Sequence, residues 1–185
     1  MKSIMLSIQP KYCELIANGK KTVEVRKTKP KLDVPFKCYI YCTQEKHKID
    51  ALHILPNGKV EGWQIERANI LGEYCNGKVI GEFVCDYITG LKADNMIQAY
   101  YNNTKETCLT DEEITKYANG GKLYYWHITD LVIYDKLKVL REFKPYNRKC
   151  EYSHLGYAIP NCKECHDCYV KRPPQSYCFV EELGV

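Results

Sequence analysis

The stretch Gly19-Lys20-Lys21-Thr22-Val23-Glu24-Val25-Arg26-Lys27 marks a change in the hydrophobic period of the chain, from helical before Gly19 to alternating after it. Residues 10–18 are predicted to form a helix, because Pro10 suits a first helical position and Gly19 favours a helix stop. The alternating pattern predicts a strand over residues 22–27. A tight turn must therefore join a helix to a strand here, and the rest of the fold is built around this junction.

The predicted strand has one apolar face and one charged face. Val23 and Val25 point to the apolar side. Thr22, Glu24 and Arg26 point to the other side, where successive side chains are about 7 Å apart. A carboxylate and a guanidinium are thus predicted side by side. Such a pair either contributes to a binding site or forms a simple ion pair on an exposed face.

Two parts of this region resemble the opening signature of the ASCH domains, which belong to the PUA-like superfamily. The first part is Leu6-Ser7-Ile8-Gln9-Pro10, and the second is the spacing of Gly19, Lys21, Glu24 and Arg26. A weaker likeness runs through Trp126-His127-Ile128-Thr129-Asp130-Leu131 to about residue 140. The resemblance implies an α+β fold, a mostly antiparallel β-barrel with flanking helices. It also implies that Lys21, Glu24 and Arg26 face a cleft between the barrel and its helices.

The chain is predicted to consist of one domain and an extension. The ASCH/PUA-like domain is assigned to residues 1–143, with an insertion at residues 44–77. A Cys-rich extension follows over residues 144–185 and is predicted to pack on the barrel. At 185 residues the chain is long enough to bury a core of its own.

Local patterns predict the remaining elements. Strands are predicted at residues 3–8, 36–43, 78–88, 123–134 and 177–181, the fourth of these bent near Asp130. The Asn57-Gly58 dipeptide predicts a hairpin within the insertion, since it readily adopts a tight turn. Helices are predicted at residues 94–101 and after Thr110, which forms a capping box with Glu113.

Composition excludes some classes of protein. The sequence lacks an apolar run of the roughly 18 residues that span a bilayer, so a cytoplasmic protein without a membrane partner is predicted. Its eleven cysteines are then more naturally thiols or metal ligands than disulfides. Those scattered among apolar residues are predicted to be small core residues: Cys13, Cys38, Cys42, Cys75, Cys85 and Cys108.

Positive charge is concentrated in the signature region. Residues 20–31 carry six basic side chains and one carboxylate, a formal charge of +5, whereas the whole chain carries +4. Such a patch either binds a polyanion or forms a solvated rim. The chemistry of the signature favours RNA or a nucleotide-like ligand, because a guanidinium binds phosphate or a base edge and a carboxylate accepts from an exocyclic amine. The predicted binding residues are Lys20, Lys21, Glu24, Arg26, Lys27 and Lys29.

A hydrolase of the same fold is the alternative. Some small ASCH-like proteins are amidohydrolases on acetylated cytidine that use a lysine, a threonine and a glutamate, and Lys21 matches their lysine. Their threonine corresponds to Glu24, which leaves only Thr22, two residues away on the same strand face, as a substitute hydroxyl. Other members have been proposed as ribonucleases, for which Lys21 and His127 are the candidates.

The extension contains a second group of candidate residues. Cys162-Lys163-Glu164-Cys165-His166-Asp167-Cys168 has two consecutive two-residue spacings, which let neighbouring thiolates bind one metal ion. Structural zinc is predicted, because the extension has too few apolar residues to fold alone. The predicted ligands are Cys150, Cys162, Cys165 and Cys168, with Cys178, His154 and His166 as alternates. The other interpretations are that these cysteines are free or redox-active thiols, or that the extension is a module that docks a protein partner.

Overall fold

The computed structural model describes residues 1–44, 51–55, 57–63, 73–92, 105–147 and 168–183. The strands are β1 (Lys2–Ile8), β2 (Val23–Arg26), β3 (Phe36–Cys42), β4 (Ala51–Ile54), β5 (Val60–Trp63), β6 (Glu73–Tyr74), β7 (Val79–Cys85), β8 (Ile88–Lys92), β9 (Lys122–His127), β10 (Thr129–Lys138) and β11 (Tyr177–Glu181). The helices whose bounds lie within the described residues are α1 (Pro10–Ala17), α2 (Asp111–Ala118) and a 3-10 turn at Leu140–Glu142. The helix predicted at residues 94–101 lies outside the described residues.

The strands pair in three sheets. The largest has the order β10-β7-β3-β1-β11, and the other two have the orders β2-β9-β8 and β5-β4-β6. Strands β1 and β3 are parallel, whereas the remaining pairs are antiparallel. None of the three sheets closes on itself. The predicted α+β class with mostly antiparallel strands is confirmed.

Local signals placed α1 and α2 correctly. The helix predicted at residues 10–18 is α1, which begins at Pro10. At the start of α2, Thr110 Oγ1 accepts a hydrogen bond from the Glu113 N–H at 3.2 Å, and Glu113 Oε2 accepts from the Thr110 N–H at 2.9 Å. This is the reciprocal arrangement that the capping-box sequence predicts.

The long strand predicted at residues 123–134 is two strands. Strand β9 pairs with β2 and β8, and after Ile128 the chain continues as β10, which pairs with β7 in the large sheet. Asp130 has a φ of +47°, so the bend lies where it was predicted. Because of this bend, one continuous segment connects the signature strand to the main core.

Strands β4, β5 and β6, which lie in the segment predicted to be an insertion, add a small sheet to the same core. Its predicted hairpin is confirmed, with Ile54 opposite Val60 in antiparallel register. Leu52, Val60 and Cys75 are buried in the main hydrophobic cluster. The Asn18 side-chain amide at the end of α1 also donates to the Val60 carbonyl at 2.8 Å. The hairpin is thus fixed against the helix that precedes the signature.

The main core lies between the large sheet and β9. Trp126 is fully buried there, packed edge-on against Phe36 with ring centroids 5.7 Å apart. Five of the six cysteines predicted to be core residues are buried: Cys13, Cys38, Cys42, Cys75 and Cys85. Cys108 is only half-buried, because it sits in a turn with a φ of +54° and its thiol donates to the Lys20 carbonyl at 3.3 Å.

The end of the Cys-rich extension is part of the large sheet. The strand predicted at residues 177–181 is β11, which pairs antiparallel with β1 so that Leu6 lies opposite Tyr177. The pairing brings the residues just before β11 beside the carboxyl end of β1. None of the helices in the described ranges is long and apolar enough to cross a membrane.

Candidate functional site

The register of β2 against β9 sets the two faces of the signature strand. Val23 and Val25 pack with Ile114 of α2 in a separate apolar cluster, as their alternation predicts. Glu24 lies opposite Trp126, which belongs to the main core. The charged face of β2 is therefore turned towards the protein interior.

Lys21, Glu24 and Arg26 form a buried triad, a term kept below for these three side chains. Their exposed fractions are 2%, 7% and 7%. Glu24 Oε1 lies 3.0 Å from Arg26 Nε, and Glu24 Oε2 lies 3.6 Å from Lys21 Nζ. The Arg26 Nε–H is not aligned for a hydrogen bond, so this contact is an ion pair. The ion pair between Glu24 and Arg26 that the sequence offered is present, but the exposed position considered for it is wrong, because both side chains are buried.

The turn after α1 holds Lys21 in place. Gly19 has a φ of +68°, a conformation that favours glycine, and it lets the chain fold back so that the Lys21 N–H donates to the Leu15 carbonyl at 3.0 Å. Lys21 Nζ donates to the Thr107 carbonyl at 2.6 Å. Burial lowers the pKa of Lys21, and the neighbouring Glu24 carboxylate partly offsets that shift.

Arg26 connects β2 to the end of β1 and to the segment before β11. Its Nη2 donates to the Ser7 carbonyl at 2.8 Å. Its Nη1 lies 3.5 Å from both the carbonyl and the hydroxyl of Ser176, at the outer limit of a hydrogen bond. The Nη2 end of the guanidinium is therefore anchored by a short hydrogen bond. Nη1 can still donate to an acceptor that lies closer than Ser176.

The triad lies in a cleft of about 1190 Å³. Its described lining includes five basic side chains and two carboxylates, and the basic ones are Lys21, Arg26, Lys27, Lys116 and Lys171. Tyr12 and Tyr117 also line it, with Lys21 Nζ 5.3 Å from the Tyr12 ring centroid and Lys27 Nζ 5.0 Å from that of Tyr117. The cleft is thus positively charged overall and has aromatic walls.

The cleft contains some of the sequence-predicted residues and not others. Lys21, Glu24, Arg26 and Lys27 line it, whereas Lys20 and Lys29 are exposed outside its lining. Thr22 does not line the cleft either, and its N–H donates to the Glu106 carbonyl at 2.9 Å. The substitute hydroxyl is therefore not presented to this cleft.

His127 lies on the other face of the strand pair. It is opposite Val23 in the β2–β9 register, and paired residues of antiparallel strands share a face. Its Nδ1 is 2.7 Å from Asp86 Oδ1, and its ring stacks on Tyr87 with centroids 4.5 Å apart. The structure does not bring Lys21 and His127 into one site.

Most of the predicted metal ligands lie outside the described residues: Cys150, Cys162, Cys165, His154 and His166. Cys168 is described and half-buried. Cys178 lies in β11, packed against the apolar cluster of the large sheet, and burial raises the pKa of its thiol to about 11. Within the described ranges, no group of three or more His, Cys, Asp or Glu side chains is placed to hold a metal ion. Zinc remains a prediction.

Sequence reasoning missed, or recognised only in part, several residues that line the cleft or contact the triad. Glu113 was recognised only as a helix cap, yet it lines the cleft and pairs with Lys11 at 3.3 Å. Ser7 lies within the signature and gave a signal through that resemblance. The sequence contained no signal for Thr107 or Ser176, because they contact the triad from positions that are distant in the chain.

Comparison with known proteins agrees with this architecture. A family model described as "ASCH domain" matches residues 6–157. Crystal structures of an ASCH protein from Zymomonas mobilis are similar in fold. A substituted form has a TM-score of 0.57 with 15% identity, covering 97% of this chain and 89% of that one. The unsubstituted form has a TM-score of 0.54 with 16% identity, covering 97% and 88%. No curated protein matches the sequence.

Proposed function

The chain belongs to the ASCH domain family, a PUA-like fold, and we propose that it binds RNA or a nucleotide-like ligand in the cleft around Lys21, Glu24 and Arg26. The observation that carries this proposal is the buried triad itself. Two cations share one carboxylate, so the triad itself carries a net positive charge inside the cleft. A phosphate group of the ligand would balance this charge through charge-assisted hydrogen bonds.

The rim of the cleft supports the same ligand class. Lys27 and Lys116 add exposed positive charge beside the triad. Contacts of this kind with phosphates supply most of the non-specific affinity for nucleic acid. This arrangement suits a nucleic acid. Its phosphate backbone would contact the exposed lysines, and one of its bases would enter the cleft beside the buried Arg26.

The aromatic walls favour an unpaired nucleotide. Tyr12 and Tyr117 line the cleft next to cations, and a base stacks readily on such side chains. Sequence-specific RNA recognition mostly targets single-stranded segments, whose bases are free to stack on aromatic rings. We therefore favour a single-stranded RNA segment as the ligand.

Substituting Arg26 with lysine is the direct test. Arg26→Lys keeps the charge that pairs with Glu24 but removes the planar fork, so we expect RNA affinity to fall by about 1–3 kcal/mol. Fluorescence anisotropy with short single-stranded RNAs measures the change. A thermal unfolding curve of each variant shows that the fold is kept.

Arg141→Lys is the matched control, since Arg141 is exposed and does not line the cleft. The Arg141→Lys variant should bind RNA with the same affinity as the unsubstituted protein. Equal affinities for Arg26→Lys and Arg141→Lys would remove Arg26 from the site, and no binding of RNA or nucleotides by the unsubstituted protein would refute the proposed function.

A hydrolase is the second candidate, favoured by the lowered pKa of Lys21. A lysine with a lowered pKa is deprotonated more often near neutral pH and is then available as a general base, and Glu24 Oε2 lies 3.6 Å from its Nζ. Turnover of an acetylated nucleoside or of RNA that rises with pH, and that is lost in Lys21→Ala with the fold intact, would favour this candidate. The absence of a hydroxyl at position 24 favours binding.

We also propose that the Cys-rich extension binds about one zinc ion per chain through cysteines among residues 150–168. The paired two-residue spacings support this proposal. Elemental analysis of protein purified without chelator should find a near-stoichiometric transition metal. Its absence would contradict the zinc prediction and would leave the proposal for the cleft untouched.

A further inference from the structure

One wall of the cleft comes from residues that follow the stretch matched by the family model. The family model ends at residue 157, yet Lys171, Pro173, Pro174 and Gln175 line the same cleft as the triad. These residues belong to the segment 171–176 that leads into β11, which we name the strap. The cleft of this protein is therefore completed by residues that lie beyond the stretch matched by the family model.

The strap is fixed at both ends. Before it, Val170 is buried and its N–H donates to the Phe143 carbonyl at 2.8 Å. After it, β11 is locked into the large sheet. In between, Ser7 donates twice to the strap, from its hydroxyl to the Pro174 carbonyl at 2.6 Å and from its N–H to the Ser176 carbonyl at 3.0 Å. Two consecutive prolines stiffen the segment further, so it forms a fixed wall.

The strap also touches the triad. The carbonyl and hydroxyl of Ser176 lie 3.5 Å from Arg26 Nη1. Ser7 accepts from Arg26 through its carbonyl while its own hydroxyl and N–H hold the strap. The position of the strap is thus coupled to the position of the guanidinium. A ligand bound at Arg26 lies beside the strap.

Two exposed polar side chains of the strap line the cleft. Gln175 has no hydrogen-bond partner among the described residues, although it carries one acceptor and two donors. Lys171 presents an exposed cation on the same wall. Nearby Arg172 is equally exposed but does not line the cleft. The strap therefore presents one amide and one cation to the ligand.

We propose that the strap determines nucleotide specificity, with the Gln175 amide reading a base edge and Lys171 binding a backbone phosphate. This inference rests on the proposed function. An amide side chain pairs with a base edge on which a donor lies next to an acceptor, and such a pair discriminates between bases. The Lys171 ammonium acts as a point charge, so it strengthens binding to every sequence alike.

Gln175→Ala tests the base-reading role. Anisotropy titrations use homopolymeric single-stranded RNAs of adenine, cytosine and uracil at one salt concentration. The unsubstituted protein is expected to prefer one base by roughly 5-fold or more. In Gln175→Ala this preference should fall below about 2-fold, because the amide that hydrogen-bonds to the base edge has been removed. The absence of any preference in the unsubstituted protein, or an unchanged preference in the variant, would overturn the proposal.

Lys171→Ala and Arg172→Ala form a matched pair for the phosphate contact. Each removes one exposed positive charge from the strap, but only Lys171 lines the cleft. We expect Lys171→Ala to weaken binding to all three RNAs and to reduce the salt slope by about 0.7, and Arg172→Ala to leave both unchanged. Equal effects of the two substitutions would overturn the role of Lys171.

The outcomes separate this inference from the function on which it rests. Suppose that RNA binding is weakened by Arg26→Lys but its base preference is unchanged by Gln175→Ala. The proposed function would then be retained, and the strap would be rejected as the element that determines specificity. Failure of the unsubstituted protein to bind any of the three RNAs would reject the proposed function instead.

Discussion

Replacing Glu24 with glutamine is expected to lower the free energy of unfolding by about 3–5 kcal/mol. Glu24 is the only carboxylate of the buried triad, and its two oxygens face Lys21 and Arg26. Glutamine has a similar shape but no charge, so two cations would remain enclosed near each other without a counter-ion. Removing one partner of a buried ion pair is costly, because the charge left behind has lost its hydration as well as its partner.

Glu113→Gln is the matched control for this stability prediction. Glu113 also lines the cleft and also pairs with a lysine, but its side chain is 38% exposed and that of Lys11 is 62% exposed. An exposed pair contributes less than about 1 kcal/mol, and glutamine still serves in a capping box. Urea unfolding of both variants gives the comparison. If Glu24→Gln destabilised the protein no more than Glu113→Gln, the triad would not be the enclosed charge cluster described above.

RNA binding is expected to weaken roughly 50-fold when the salt concentration rises from about 50 to about 200 mM. The signature region exposes four lysines, which are Lys20, Lys27, Lys29 and Lys31. Phosphate contacts from these four lysines alone give a slope near −3 in log affinity against log salt for a single strand, because each contact releases condensed counterions, and the Lys171 contact proposed above adds to this minimum. A ligand held mainly by shape and hydrogen bonds in the cleft would show a much smaller slope.

The same prediction assigns the slope to particular residues. Changing Lys27, Lys29 and Lys31 together to alanine should flatten the slope by about 2, because three of the contacts are lost. A control variant removes three exposed lysines elsewhere, Lys59, Lys136 and Lys144, and has the same net charge. The control should keep nearly the full slope. Equal flattening in both variants would show that net charge, and not this patch, attracts the RNA.

The sequence by itself determined the elements whose signals are local. Helix α1 and its stop at Gly19, the capping box of α2 and the final strand β11 were all predicted from residues a few positions apart. Alternation in β2 also predicted correctly which side chains share a face. These features are local because hydrogen bonds in a helix turn, a cap or a strand face join residues that are near in sequence. The resemblance of residues 6–26 likewise identified the family.

Only the tertiary structure decided what surrounds the charged face of β2. Alternation shows that Glu24 and Arg26 share a side, but not whether that side meets water or protein. The answer depends on Thr107, which is 86 positions from Lys21, and on Ser176, which is 150 positions from Arg26. Pairing of distant strands also placed the strap and His127. The pairing of β11 with β1 brought the strap into the cleft, and the register of β9 against β2 left His127 on the opposite face. Burial is a property of every segment packed around a residue, so no local pattern contains it.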